Sequence, residues 1–131
     1  LKNEAKKSKF IPLNKNLIKD DNFKIPLDIC LLGIGNDGHF ASLFPNMINN
    51  TNMLDPKSKS SIDKVKANGN PFVPRISMNL PLILSSNLII LLIKGKLKQE
   101  VLREAYKNKN IPLYYLLKHR INNFHIELLN D

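Results

Sequence analysis

The sequence predicts an α/β fold: a Rossmann-like, open and mostly parallel sheet flanked by helices. Three observations carry this. Residues 27–32 and 88–93 are short, almost wholly apolar runs bounded by turn-forming residues. Such runs read as strands of a parallel sheet buried on both faces. Residues 96–108 place Leu97, Val101, Leu102 and Ala105 on one helical stripe. Residues 124–129 alternate, with Phe124, Ile126 and Leu128 inward against His125 and Glu127 outward. The resulting order β–α–β–α–β is that of an α/β sheet.

Taken in order, residues 1–9 are charged, with good helix formers, and read as the end of a helix. Phe10, Ile11 and Leu13 suggest a short strand, with Pro12 placing it at an edge. Residues 14–24 are polar and read as a linker. The strand at 27–32 leads into a loop with Gly33, Gly35 and Gly38, after which His39 opens about one helical turn that Pro45 ends. Residues 46–70 are polar with several turn signals, and residues 61–66 alternate enough for a short strand. Residues 72–78 read as a strand and residues 80–86 as a short helix opening with Pro81. After the strand at 88–93 and the helix at 96–108, residues 112–119 form another short helix. No internal repeat is visible.

A length of 131 residues suits a single domain, 1–131, with one core. A hydrophobic content of 43% argues against disorder. The formal net charge is +9, yet the lysines are scattered among Asn and Ile and not interleaved with aromatics. A solvated basic surface able to meet an anionic small substrate is expected, and no nucleic-acid partner. Cys30 is the sole cysteine and lies in an apolar strand, so neither a disulfide framework nor a cysteine-rich metal site is expected. A reducing, cytoplasmic compartment follows as the expectation. The longest apolar run is far too short to span a bilayer, so no membrane partner is expected. The sequence opens on Leu1 inside a lysine-rich stretch, which reads as a chain whose start is missing.

The glycine loop carries the chemistry. Its backbone N–H groups can point at an oxyanion or phosphate, and it lies at the carboxyl end of a central strand, where open α/β sheets bind ligands. Gly33 to Gly38 match the dinucleotide pattern G-x-G-x-x-G. That pattern requires a full helix next and a second strand ending in an acid about 20 residues on. Here Pro45 cuts the helix, and Asp55 sits on no apparent strand, so an NAD(P)-binding domain is the weaker reading. His39 gives the stronger one. A histidine takes and returns a proton near neutral pH, and Asp37, two residues back, could orient the ring. The plain alternative is a surface or hydrogen-bonded structural histidine, which is also the reading of His119 and His125.

Residues 31–45, Leu-Leu-Gly-Ile-Gly-Asn-Asp-Gly-His-Phe-Ala-Ser-Leu-Phe-Pro, closely resemble the signature of 6-phosphogluconolactonases. Pro74-Arg75-Ile76-Ser77-Met78 with Leu80-Pro81 resembles that family's Arg-Ile-Thr-Leu segment, and Lys94-Gly95-Lys96-Leu97-Lys98 with Val101-Leu102 its Gly-x-x-Lys loop and helix. The resemblance runs from Phe10 onward. The related glucosamine-6-phosphate deaminases carry a glutamate after the histidine, whereas residues 40–45 here contain no acid. Phe40 stands where the lactonases usually have Thr.

The resemblance implies the C-terminal portion of a lactonase-like domain, without the N-terminal glycine-rich phosphate loop and arginine-bearing segment. It implies hydrolysis of 6-phospho-D-glucono-1,5-lactone to 6-phosphogluconate, the second step of the oxidative pentose phosphate pathway, with no cofactor and no metal. His39 and Asp37 are the implied catalytic residues. Gly35, Gly38, Arg75 and Lys98 are the implied substrate-binding residues, with Arg75 and Lys98 on the phosphate. A surface salt bridge for Arg75 and a solvated helix position for Lys98 are the alternatives. Fusion to or association with glucose-6-phosphate dehydrogenase remains open, as does a non-catalytic sugar-phosphate-binding role.

Overall fold

The structure, a computed structural model, describes residues 7–49, 52–120 and 123–129. Among the described residues five strands and three α-helices follow one another: β1 (Ile29–Gly33), β2 (Ile62–Asn68), β3 (Val73–Met78), α1 (Leu80–Leu84), β4 (Leu88–Lys94), α2 (Lys96–Ala105), α3 (Pro112–His119) and β5 (Phe124–Leu129). β1, β4 and β5 form a parallel sheet in the order β1-β4-β5, with Ile29 opposite Leu88 and Ile89 opposite Phe124. β2 and β3 form a separate antiparallel hairpin. The α/β class and the parallel sheet are as the sequence predicts, and the hairpin is its antiparallel annex.

The core lies on one side of the sheet. Cys30 and Leu32 of β1 and Ile89, Leu91 and Ile93 of β4 cluster with Leu80 and Ile83 of α1, Ala105 of α2, and Leu113 and Leu116 of α3. Each fully buried aliphatic side chain is worth about 1.5–3 kcal/mol relative to exposure. The glycine loop shares this core through Ile34, Phe40, Leu43 and Phe44, so the segment carrying His39 is anchored from beneath.

The expectation that β1 is buried on both faces is not met. Its residues alternate, with Ile29 56% and Leu31 63% exposed. The buried residues of the three helices belong to the opposite face, and among the described residues no second layer covers this one. On the outer strand β5, Phe124 and Ile126 pack against the core, while Leu128 is exposed instead of inward.

Other expectations need correction. Residues 1–6 lie outside the described residues, and residues 7–9 are not helical. Phe10 to Leu13 form no strand. Phe10 is 88% exposed and the segment has no neighbouring strand to pair with. The linker contains a short 3-10 turn, Leu17–Lys19, whose Leu17 packs with Ile62 and Leu82. No helical turn follows His39. The chain makes a bridge between Phe40 and Leu43, and Pro45 opens a 3-10 turn, Pro45–Met47, instead of ending a helix. Proline fits that first position because its missing N–H would have no helical partner there.

One polar residue joins hairpin to helix. Asn79 is fully buried at the N-terminus of α1. Its side-chain oxygen accepts from Leu82 N–H (3.1 Å) and Ser61 N–H (3.0 Å), and its amide donates to Lys59 O at 2.8 Å. Asn79→Ala would remove the partner of three backbone groups, one in a buried and two in part-buried hydrogen bonds, and a buried group left unpaired costs roughly 1–3 kcal/mol. We expect a net loss of about 2–4 kcal/mol, read from the urea midpoint. Burial also pushes the Cys30 thiol up. The unfolded chain therefore releases that proton first, so the thiol's contribution is intact below about pH 8.5 and declines above it. Cys30→Ala should flatten this alkaline decline in a pH series of urea melts.

Candidate active site

The loop after β1 is a tight turn closed by its own backbone. Gly35 N–H donates to His39 O at 2.8 Å, and Gly38 N–H to Gly35 O at 3.0 Å. Gly38 sits at φ 76°, a conformation L side chains rarely adopt. Its missing side chain also matters, because a Cβ there would overlap Ile111 and lie 3.3 Å from Val101 Cγ1. Gly38 O accepts from Leu113 N–H at 3.1 Å, tying the turn to the first turn of α3. On the other side Ser42 N–H donates to Ser77 Oγ at 3.1 Å, tying it to β3. Ala41 takes φ 49°, a strained value for a residue with a Cβ, two residues beyond His39.

Within this frame Asp37 and His39 meet. His39 Nδ1 lies 2.5 Å from Asp37 Oδ1, which also accepts from His39 N–H at 3.2 Å. A carboxylate accepts only, so Nδ1 carries the hydrogen and Nε2 is left with its lone pair. The imidazole is 30% exposed, open to water and to a ligand. Of the loop's N–H groups, those of Gly35 and Gly38 are used internally and that of His39 by Asp37. Among the described residues the N–H groups of Asn36 and Asp37 have no acceptor, which narrows the expected oxyanion donors to those two.

Gly35, Asp37, Gly38 and His39 thus form one unit. Arg75 joins it through Phe44. The His39 and Phe44 ring centroids are 4.5 Å apart, tilted by 36°, and the Arg75 guanidinium lies over the same Phe44 ring, 5.4 Å from its centroid. Arg75 makes no salt bridge among the described residues. It donates instead to three hairpin carbonyls, those of Asn68, Val73 (2.8 Å) and Pro71 (2.7 Å). Two of the guanidinium's five N–H groups remain. Lys98 is half-buried on the first turn of α2, one turn before Val101 and on the same helical face, so it stands on the side of the helix that meets the loop. His119 ends α3, and His125 pairs with Glu127 at 2.9 Å on β5; neither belongs to the loop.

The glycine loop opens no helix, so the dinucleotide pattern lacks the helix N-terminus it needs. Among the described residues no three His, Cys, Asp or Glu side chains gather as metal ligands, and no helix is long and apolar enough to cross a membrane. Phe44, Ser77 and Val101 lie inside stretches the sequence singles out and Ile111 does not, but no sequence feature marks any of the four as shaping the site. Their roles arise from contacts between segments far apart in the chain.

Comparison with known proteins bears on the family and the fold. Residues 6–125 match the family model described as glucosamine-6-phosphate isomerases/6-phosphogluconolactonase. A 6-phosphogluconolactonase of Caulobacter vibrioides is 34% identical over 126 residues, covering 88% of this chain and 54% of that protein. The crystal structure of 6-phosphogluconolactonase from Thermotoga maritima superposes with a TM-score of 0.64 at 26% identity, over 84% of this chain and 46% of that one. A 6-phosphogluconolactonase from Shewanella baltica shares the fold, with a TM-score of 0.65 at 24% identity over 88% and 49% of the two chains. The chain spans about half the length of the curated relatives it matches. Matched over most of its length by the family model, it belongs to the glucosamine-6-phosphate isomerase/6-phosphogluconolactonase family.

Proposed function

We propose that this chain carries the proton-transfer centre of a lactonase that hydrolyses 6-phospho-D-glucono-1,5-lactone to 6-phosphogluconate, as the C-terminal portion of a lactonase-like domain. The observation that carries this reading is the 2.5 Å contact between Asp37 and His39 Nδ1 at the carboxyl end of β1. It turns a lone histidine into an oriented base, with Asp37 on Nδ1 and Nε2 left for proton transfer. The absence of an acid in residues 40–45 favours the lactonase over the deaminase branch.

The steps follow from the groups present. A water molecule gives a proton to His39 Nε2 as its oxygen bonds to the lactone carbonyl carbon. The N–H groups of Asn36 and Asp37 receive the oxyanion of the tetrahedral intermediate. Collapse breaks the bond to the ring oxygen, which takes the proton back from His39 and leaves as a hydroxyl. Asp37 holds the imidazole in the right tautomer and stabilises the imidazolium between the two transfers. Lys98 and the two remaining N–H groups of Arg75 supply charge-assisted hydrogen bonds to the phosphate. Gly35 and Gly38 let the substrate approach the backbone. A cytoplasmic site of action, with fusion to or association with glucose-6-phosphate dehydrogenase, belongs to the same reading. The second reading is a sugar-phosphate binder without turnover, and the pre-ordered Arg75 guanidinium favours it, because it would hold a phosphate with or without chemistry at His39.

Lactone disappearance, corrected for the spontaneous reaction, separates the two. In the full chain His39→Asn should lower kcat by about 10²–10⁴-fold with little change in 6-phosphogluconate binding. Binding with no turnover in the unmutated protein would establish the second reading. Gly35→Ala should lower kcat by about tenfold or more, because the new methyl group displaces the imidazole. Lys98→Gln should raise KM by about ten- to a hundredfold and leave kcat within a few-fold, the pattern of lost ground-state binding.

A further inference from the structure

We propose that Phe44 is a positioning residue that sets the span between the lactone carbonyl and the phosphate, and so selects phosphorylated over unphosphorylated lactones. The proposal rests on the lactonase reading above. Phe44 is 2% exposed, and its ring has two neighbours of functional kind: the His39 imidazole, with centroids 4.5 Å apart, and the Arg75 guanidinium at 5.4 Å. The general base and the cation therefore share one rigid wall.

That wall is itself held in place. A Cβ on Gly69, in the β2–β3 turn at φ 70°, would lie 2.9 Å from the Phe44 ring, so the turn backbone packs directly on it. Arg75 grips the same turn through the carbonyls of Asn68, Pro71 and Val73, which fixes the plane of its guanidinium. On the loop side, Asp37 fixes His39. Phe44 is thus a side chain at which the hairpin and the glycine loop meet through functional groups. A buried phenyl ring has only two side-chain torsions and a flat face, which suits it to hold two partners at a set separation. An aliphatic residue offers no flat face, and each partner would then move with its own segment. A substrate with a carbonyl and a phosphate at fixed separation is gripped at both ends. One without the phosphate is gripped at the carbonyl alone and gains nothing from the matched spacing.

The test compares kcat/KM for 6-phosphogluconolactone and unphosphorylated glucono-1,5-lactone in the full chain. Phe44→Leu and the unbranched Phe44→Met should lower the preference for the phosphorylated lactone by about tenfold, chiefly through a raised KM. Ile83→Val, a core change on α1, should lower the thermal midpoint and leave the preference unchanged. An unchanged preference in both ring-less variants would overturn the proposal and leave the lactonase reading intact. Absence of lactonase activity in the unmutated chain would overturn both. Failure of both variants to reach the wild-type circular dichroism spectrum would make Phe44 a folding residue and overturn the positioning role.

Discussion

A Cβ on Gly35 would overlap the His39 ring and lie 2.7 Å from Asp37 Oδ1, and that exclusion governs the rest of the site. Because position 35 has no side chain, the imidazole can fold back over the backbone of its own loop. There it meets Asp37, and its other nitrogen is left free. The turn must then be tight, which uses the N–H groups of Gly35 and Gly38 internally and leaves those of Asn36 and Asp37 without an acceptor among the described residues. The cost is borne nearby, in the positive φ of Ala41 and in the close seat of Gly38 against Ile111. Tight turns of this kind persist only where surrounding packing determines them. Here the buried side chains of Ile34, Phe40, Leu43 and Phe44 supply that packing.

Support reaches the loop from two separate segments further along the chain. β3 holds Ser42 through the Ser77 hydroxyl, and α3 holds Gly38 through Leu113 N–H. The hairpin contributes more than a strand edge, since its turn presses on Phe44 while Arg75 braces it. Arg75 thereby has a bracing duty and, in the function proposed above, a binding one. Three of its hydrogen bonds go to the protein, which orders the guanidinium before any ligand arrives, and the rest stay available. A cation ordered in advance loses less entropy on binding than a free surface arginine.

Much of the fold was legible because it is local. The apolar run of β4, the stripe of α2 and the Pro112 start of α3 each follow from spacing within a dozen residues, and the observed bounds lie close to the predicted ones. The loop was legible too, since glycine spacing and a histidine at a strand's end are sequence features. What escaped depends on distant partners. The apolar run at 27–32 says that β1 is inside, but alternation of its exposure depends on which layers cover the sheet. Phe10 to Leu13 have strand-like composition and no strand to join. Arg75 was marked by resemblance as a phosphate ligand, yet its grip on the hairpin turn could be seen only once that turn had a shape. Phe44 reads as one more core residue until His39 and Arg75 are found against the same ring.

The parallel pairing of Ile29 with Leu88 has a consequence for the order of assembly. β1 can find β4 only after the whole intervening chain, including the β2–β3 hairpin, has been gathered in. The hairpin needs only a short turn and can form early, as local contacts do. Closing the long loop between β1 and β4 carries an entropic cost that is recovered only when the sheet and its helices dock together. The Asp37–His39 turn hangs from the end of β1 and is fixed by β3, α2 and α3. Catalytic geometry is therefore expected to mature in the last phase of folding, with the ring of Phe44 seated between a hairpin already made and a sheet just closing.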